Sequence, residues 1–128
     1  MSKYAQWINH KGQRLLYADY SGLVDEEEYL SALGETEQEI LKQPPGQLVP
    51  LLFNMTNTRA STAITDRAKR MTDAAKERGI PDSPTAIVGV SGFQRAVVQA
   101  MQFVRRDLHL ADSLEAGKEW LAEQMRQR

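Results

Sequence analysis

The chain contains no cysteine among its 128 residues. Without a thiol it can form no disulfide, thiolate-bound zinc site, iron–sulfur cluster or cysteine nucleophile. Disulfides mark oxidising compartments, whereas a chain without cysteine fits a reducing one. We therefore expect a cytoplasmic protein.

A basic excess is also lacking, because 16 lysines and arginines stand against 17 aspartates and glutamates, which gives a net charge of −1. Proteins that coat nucleic acids draw their affinity from cations that neutralise phosphates, so we expect no nucleic-acid partner. The longest apolar run, residues 48–53, is far shorter than the roughly 20 residues of a membrane helix. Residues 1–7 lack the apolar core of a secretory signal. We expect no membrane span.

The sequence does contain alternating apolar strands and amphipathic helices, in a chain of the length of one domain, 1–128. Apolar runs between glycine, proline and polar residues predict strands over 5–10, 13–19, 48–54, 85–90 and 108–110. Capping residues and helical periodicity predict helices from 26 to just before Pro44, over 60–78, over 93–106, and from 114 to near the C-terminus. The order β-β-α-β-α-β-α-β-α predicts an α/β domain. Its five-stranded sheet is mostly parallel and begins with an N-terminal β-hairpin.

Polar turns follow the strands of this predicted sheet. Since ligands of open α/β sheets bind beyond the carboxyl ends of the strands, these turns are candidates for a binding site. The alternative is structural, because every strand-to-helix turn needs polar capping residues. The residues that we assign to a ligand at this edge are Asn54, Thr56, Asn57, Arg59, Ser91, Gly92 and Arg95.

The turn at Ser91 and Gly92 is the second part of that candidate site. A strand–turn–helix junction with glycines exposes backbone N–H groups at a helix N-terminus, and such a terminus attracts anions. Arg95 would lie one turn further along the helix. The alternative is that Gly89 allows close packing and that Ser91 caps the helix.

Four segments in this order resemble the SpoIIAA-like branch of the STAS superfamily, whose fold is related to the lipid-binding CRAL-TRIO domain. The segments are 16–22, 51–57, 86–92 and 112–121, and the resemblance covers nearly the whole chain. It implies parallel strands that lie in sequence order, like turns of a βα superhelix. Our leading hypothesis is a non-enzymatic regulatory or binding module that has no cofactor and acts through protein contacts or through a small anionic or apolar ligand near the strand carboxyl ends.

The same resemblance implies a phosphorylation site. Anti-sigma-factor antagonists of the superfamily are phosphorylated on Ser or Thr where the helix after the third strand begins, and the matching positions here are Ser61 and Thr62. The sequence departs from the family pattern at Ala60, where the family has an acidic residue, and at Ala63 and Ile64, which replace a small residue and glycine. A phosphorylation-switched antagonist is therefore our alternative hypothesis.

An unrecognised hydrolase or isomerase is the further alternative, and it needs a base. The two histidines, His10 and His109, lie far apart in the sequence with no carboxylate at metal-ligand spacing, so we expect no metal site and assign no catalytic residue. We expect His10 in the hairpin and His109 facing solvent on an edge strand. Unprotected edges at the hairpin or at 108–110 favour homodimerisation.

Overall fold

Five strands and three continuous helices make up the part of the chain that the computed structural model describes, namely residues 3–59, 61–90, 95, 98–99, 102 and 107–128. The strands are β1 (Ala5–His10), β2 (Gln13–Asp19), β3 (Leu51–Asn54), β4 (Thr85–Val88) and β5 (Leu108–Ala111). The helices are α1 (Glu26–Leu41), α2 (Thr62–Arg78) and α3 (Leu114–Arg126).

The strands form one sheet in the order β1-β2-β3-β4-β5. The hairpin strands β1 and β2 are antiparallel, and each later neighbour pairs in parallel. Lys11 and Gly12 join the hairpin with φ angles of 52° and 82°, which suits the two-residue turn that matches the twist of its strands. The predicted α/β class, the mostly parallel five-stranded sheet and the N-terminal hairpin are confirmed.

Two strands are shorter than predicted. β3 begins at Leu51 rather than at residue 48, because Pro50 has no N–H to donate to a ladder. β4 ends at Val88 rather than at residue 90, because Gly89 turns the backbone with a φ of 84°. The helix predicted over 93–106 lies mostly outside the described residues, and those described there, 95, 98–99 and 102, are helical.

Helices cover both faces of the sheet. The helices α1 and α2, which join β2 to β3 and β3 to β4, pack against each other on one face of the sheet. The last helix, α3, contacts all five strands from the opposite face. Gly117 lets α3 approach closely, since a Cβ there would stand 2.8 Å from the side chain of Leu52.

The core on the α1 and α2 face centres on Tyr20, which is fully buried. Its ring lies 5.4 Å from that of Tyr29 and 5.7 Å from that of Phe53. Its hydroxyl bonds to the hydroxyl of Thr36, which in turn donates to the carbonyl of Ala32 at 3.0 Å. Burial raises the pKa of Tyr20 well above its ordinary value. Because the phenol is satisfied by hydrogen bonds, its burial carries no unpaired polar group.

Acidic side chains of α1 attach this helix to β1 and to Tyr4, the residue just before it. Glu28 accepts a hydrogen bond from the hydroxyl of Tyr4 at 2.8 Å, and Glu39 accepts one from the indole N–H of Trp7 at 3.2 Å. Glu39 also pairs with Lys42 one turn along, at 2.9 Å. This bond from Lys42 lowers the pKa of Glu39, and the indole bond lowers it further.

Acidic side chains of α1 also reach α2. Glu37 and Arg67 form an ion pair at 2.6 Å in which both side chains are mostly buried. Glu26, in the first turn of α1, accepts a hydrogen bond from the hydroxyl of Ser61 at 2.5 Å. The acidic composition of α1 therefore fixes how this helix sits against its neighbours.

Replacement of Glu39 by glutamine should reduce the pH dependence of stability. Because the pKa of Glu39 lies below its unfolded-state value, its contribution is fully present above about pH 5 and is lost as the pH falls through the folded-state pKa. Glu39→Gln should lower the free energy of unfolding by about 1 kcal/mol near neutral pH, and by less in acid. Urea unfolding at about pH 7 and pH 3 measures both values.

Glu27→Gln is the matched control, since Glu27 is exposed on the same helix and its side chain makes no hydrogen bond or ion pair with any described residue. It should leave both the stability and its pH dependence nearly unchanged. Equal behaviour of the two variants would contradict a specific role for Glu39.

Candidate functional site

The carboxyl ends of β2 and β3 bring two polar turns side by side. Asp19 and Asn54 are register partners that end these strands. Asn54 donates to the hydroxyl of Tyr17 at 3.3 Å, on the sheet face that α3 covers. We call the described part of this edge the carboxyl-end rim; it consists of Asp19, Ser21, Val24, Asn54, Thr56, Asn57 and Arg59.

The two turns of the rim have the same hydrogen-bond pattern. Oδ1 of Asn54 accepts from the N–H of Thr56 at 3.2 Å and from its hydroxyl at 2.7 Å. Oδ1 of Asp19 accepts from the N–H of Ser21 at 3.1 Å and from its hydroxyl at 2.7 Å. Each strand-ending side chain thus closes its own turn, as Asp and Asn commonly do. These bonds are therefore explained by the structural interpretation, in which the polar residues close the turns and bind no ligand.

Backbone contacts lock the two turns together. The N–H of Gly22 donates to the carbonyl of Thr56 at 2.8 Å, and the N–H of Met55 donates to the carbonyl of Val88 at 2.7 Å. Gly89 lies directly against Thr56, since a Cβ on Gly89 would stand 2.7 Å from the backbone nitrogen of Thr56. Hydrogen bonds and close packing therefore tie the two turns of the rim to each other and to the end of β4.

The outer side of the rim is exposed. Thr56, Asn57 and Arg59 are exposed, and Asn57 takes a left-handed φ of 56°. The N–H of Arg59 donates to the carbonyl of Leu23 at 3.2 Å, which places Arg59 beside Val24. Val24 is 60% exposed, and the guanidinium of Arg59 has no carboxylate partner among the described residues. An exposed apolar residue and an exposed cationic residue thus lie on neighbouring segments of this edge.

The predicted phosphorylation positions lie where α2 begins. Ser61 is the N-cap, and its hydroxyl oxygen accepts from the N–H of Ile64 at 3.3 Å while it donates to Glu26. Thr62 is the first helical residue and is exposed. Ala60 lies outside the described residues. Sequence reasoning missed Glu26 as the acidic neighbour of Ser61, because the two residues are 35 positions apart.

Ser91 and Gly92, which carry the predicted anion-binding turn, lie outside the described residues. Arg95 is described, and it is helical and exposed. The structure thus brings together Asn54, Thr56, Asn57 and Arg59, while the contribution of the Ser91 turn stays a prediction.

The histidines lie away from the rim. His10 is in the hairpin as expected, and its Nε2 lies 2.9 Å from Glu119 of α3. His109 lies on the edge strand β5 as expected, but it is only partly exposed, because its ring stacks on Trp120 at 4.7 Å with 14° between the planes. This burial lowers the pKa of His109. Residues that the structure describes form no group of three or more His, Asp and Glu side chains able to hold a metal ion.

A concave site lies at the opposite edge of the sheet, at the amino ends of β3 and β4. This amino-end cleft has a volume of about 110 Å³. It is lined by Ile40, Val49, Leu51, Phe53, Met71, Thr72, Ala75, Lys76, Ile80, Pro81, Asp82, Ser83 and Thr85. Sequence reasoning missed it, because each apolar residue in this set also fits an ordinary core position.

No family model matches this sequence, and no curated protein or solved structure is similar enough to count as a match. The resemblance to the SpoIIAA-like branch therefore stays a prediction from the residues. None of the helices in the described ranges is long and apolar enough to cross a membrane.

Gly89→Ala should destabilise the protein through the rim. The added Cβ meets the left-handed φ and the backbone of Thr56, so we expect a loss of about 2–5 kcal/mol in the free energy of unfolding. Urea denaturation measures it. Gly46→Ala is the control, because Gly46 has a similar φ of 87° but open space around its Cβ position. That variant should lose only about 1–2 kcal/mol. Similar losses in both variants would contradict the close packing at Thr56.

Proposed function

We propose that this chain is a non-enzymatic regulatory module of SpoIIAA-like, STAS-related type that binds a protein partner through the carboxyl-end rim. The observation that carries the proposal is an exposed surface whose turns are closed by their own hydrogen bonds. The polar atoms of Asp19 and Asn54 close their own turns, so the rim keeps one shape without a ligand. A preformed surface loses little entropy on binding.

The described part of the rim offers little for catalysis. General acid–base chemistry needs a base within hydrogen-bond reach of a reacting group. His10 lies at the hairpin end and His109 stacks under α3, so neither stands beside the hydroxyls of Ser21 or Thr56. These positions weigh against the hydrolase or isomerase alternative.

Val24 and Arg59 define the chemistry of the proposed partner. An exposed valine favours an apolar contact, and an exposed guanidinium favours a carboxylate next to it. The expected partner surface therefore has an apolar residue flanked by Asp or Glu. The absence of cysteine fits a cytoplasmic module. Because β1 and β5 are edge strands that could pair with a second copy, homodimerisation stays a prediction.

Substitutions at the rim should abolish partner binding and leave the fold intact. Val24→Asp and Arg59→Glu each remove one of the proposed contacts. Loss of a contact at the centre of an interface typically costs about 1–2 kcal/mol or more of binding free energy, so we expect each variant to bind at least tenfold more weakly. Partners cross-linked and identified with the wild-type chain are then measured against each variant by calorimetry.

Arg78→Glu is the matched control, since Arg78 is exposed at the far end of α2. It should bind like the wild type. Loss of binding in Arg78→Glu, with binding kept in the rim variants, would contradict the proposal. Nucleotides, phosphates or fatty acids are tested in parallel by thermal shift. If one of them raises the melting temperature of the wild type but not of Arg59→Glu, the rim binds a small ligand instead of a protein partner.

A phosphorylation switch at Ser61 is the second candidate, and the position of Glu26 favours it. A phosphate on Ser61 would add about two negative charges beside the Glu26 carboxylate, which now lies 2.5 Å from the hydroxyl. Repulsion between them would break the contact between α1 and the start of α2. The same phosphate would sit favourably at the helix N-terminus, so α2 itself should persist.

Incubation with an anti-sigma-factor kinase should modify Ser61, as read by mass spectrometry, and Glu26→Gln should reduce the loss of stability that the phosphate causes. Ser61→Ala should remove the modification, whereas Thr62→Val, at the next position, should keep it. An unmodified wild-type chain would contradict the switch.

A further inference from the structure

The amino-end cleft lies between α2 and the sheet, at the edge opposite the carboxyl-end rim. Leu51 and Thr85 are the first residues of β3 and β4, and Met71 and Ala75 belong to the second half of α2. Its volume of about 110 Å³ exceeds the roughly 30 Å³ that a water molecule occupies. It can therefore hold a group of several carbon atoms, and an apolar cavity of about 150 Å³ is known to hold benzene.

The interior of the cleft is apolar in its chemistry. Its hydroxyls are already used as donors: Ser83 donates to the carbonyl of Pro81 at 3.0 Å, Thr85 to that of Ser83 at 3.1 Å, and Thr72 to a carbonyl of its own helix. The Ser83 oxygen also accepts from the N–H of Val49 at 2.8 Å. A polar group placed inside would find no free hydroxyl donor there, so an apolar group fits best.

Two charges of opposite sign stand at this cleft. Lys76 and Asp82 both line it and both are exposed. They do not pair with each other, and neither forms an ion pair with any residue in the described ranges. A cation and an anion that are left apart beside an apolar cleft complement a ligand that carries both charges next to an apolar group.

We propose that the amino-end cleft binds a free α-amino acid with an apolar side chain. The side chain occupies the space between Met71, Phe53 and Ile80, the carboxylate faces Lys76, and the ammonium group faces Asp82. A simple anion would meet repulsion from Asp82, and a simple cation would meet repulsion from Lys76. This site is separate from the rim, and it stands or falls independently of the regulatory function proposed above.

A matched series of small molecules tests the charge requirement. Norleucine, hexanoate, pentylamine and 1-pentanol share an alkyl chain and differ in charge. Norleucine carries both charges, hexanoate only the negative one, pentylamine only the positive one, and 1-pentanol none. Each exposed ion pair contributes up to about fivefold in affinity, so norleucine should bind more tightly than hexanoate or pentylamine by a few-fold. Titration of the full chain with ¹³C-methyl-labelled methionine reads the binding.

Met71 lines the cleft and reports binding, whereas Met125 in α3 is the reference. A shift of the Met71 methyl that saturates, with norleucine tightest in the series, supports the proposal. Binding of 1-pentanol, hexanoate or pentylamine as tight as that of norleucine overturns it. So does a Met71 signal that none of the four molecules moves.

Substitutions separate the apolar and the charged parts of the site. Ala75→Leu fills the cleft and should reduce norleucine binding at least tenfold, while Ala116→Leu adds the same atoms at an exposed position of α3 and should not. Lys76→Gln and Asp82→Asn should each weaken norleucine by up to about fivefold and leave 1-pentanol unchanged. Norleucine binding that is unchanged in both charge variants overturns the assignment of the head group.

Discussion

Parallel pairing of β2 with β3 is the constraint on which both edges of the molecule depend. The register runs from Leu16 opposite Leu51 to Asp19 opposite Asn54. Because the strands end at the same level, the turns that follow them lie side by side and bond to each other through Gly22 and Thr56. A slip of one residue would turn Asn54 to the opposite face and separate these turns.

The same pairing creates the opposite edge. Pro50 delays the start of β3, so the chain before it runs beside the segment that leads into β4, where Val49 bonds to Ser83. The end of α1 and the second half of α2 lie over this edge, because helices that connect parallel strands run back towards the strand beginnings. The amino-end cleft is the space left between them. Rim and cleft are thus two results of one topology, with a preformed polar surface at one edge and an apolar recess at the other.

Strand and helix positions could be predicted from the sequence because they depend on local chemistry. Lys11 and Gly12 take the positive φ angles of a tight hairpin, Asp25 caps α1, and Gly79 ends α2 in a left-handed conformation. These effects act over a few residues and can be read from spacing alone. The shortened β3 and β4 follow from Pro50 and Gly89 by the same local rules.

Contacts across long sequence distances could not be predicted in this way. Glu26 of α1 meets Ser61 at the start of α2, and the ring of His109 stacks on Trp120 of α3, yet nothing in the local sequence names these partners. The sequence by itself determined the order of the described strands and helices, the α/β class and the edge to which the polar turns belong, because periodicity and strand direction fix them. Only the tertiary structure decided that the two turns of the rim bond to each other and that an apolar cleft opens at the other edge, because both depend on how separate elements pack together.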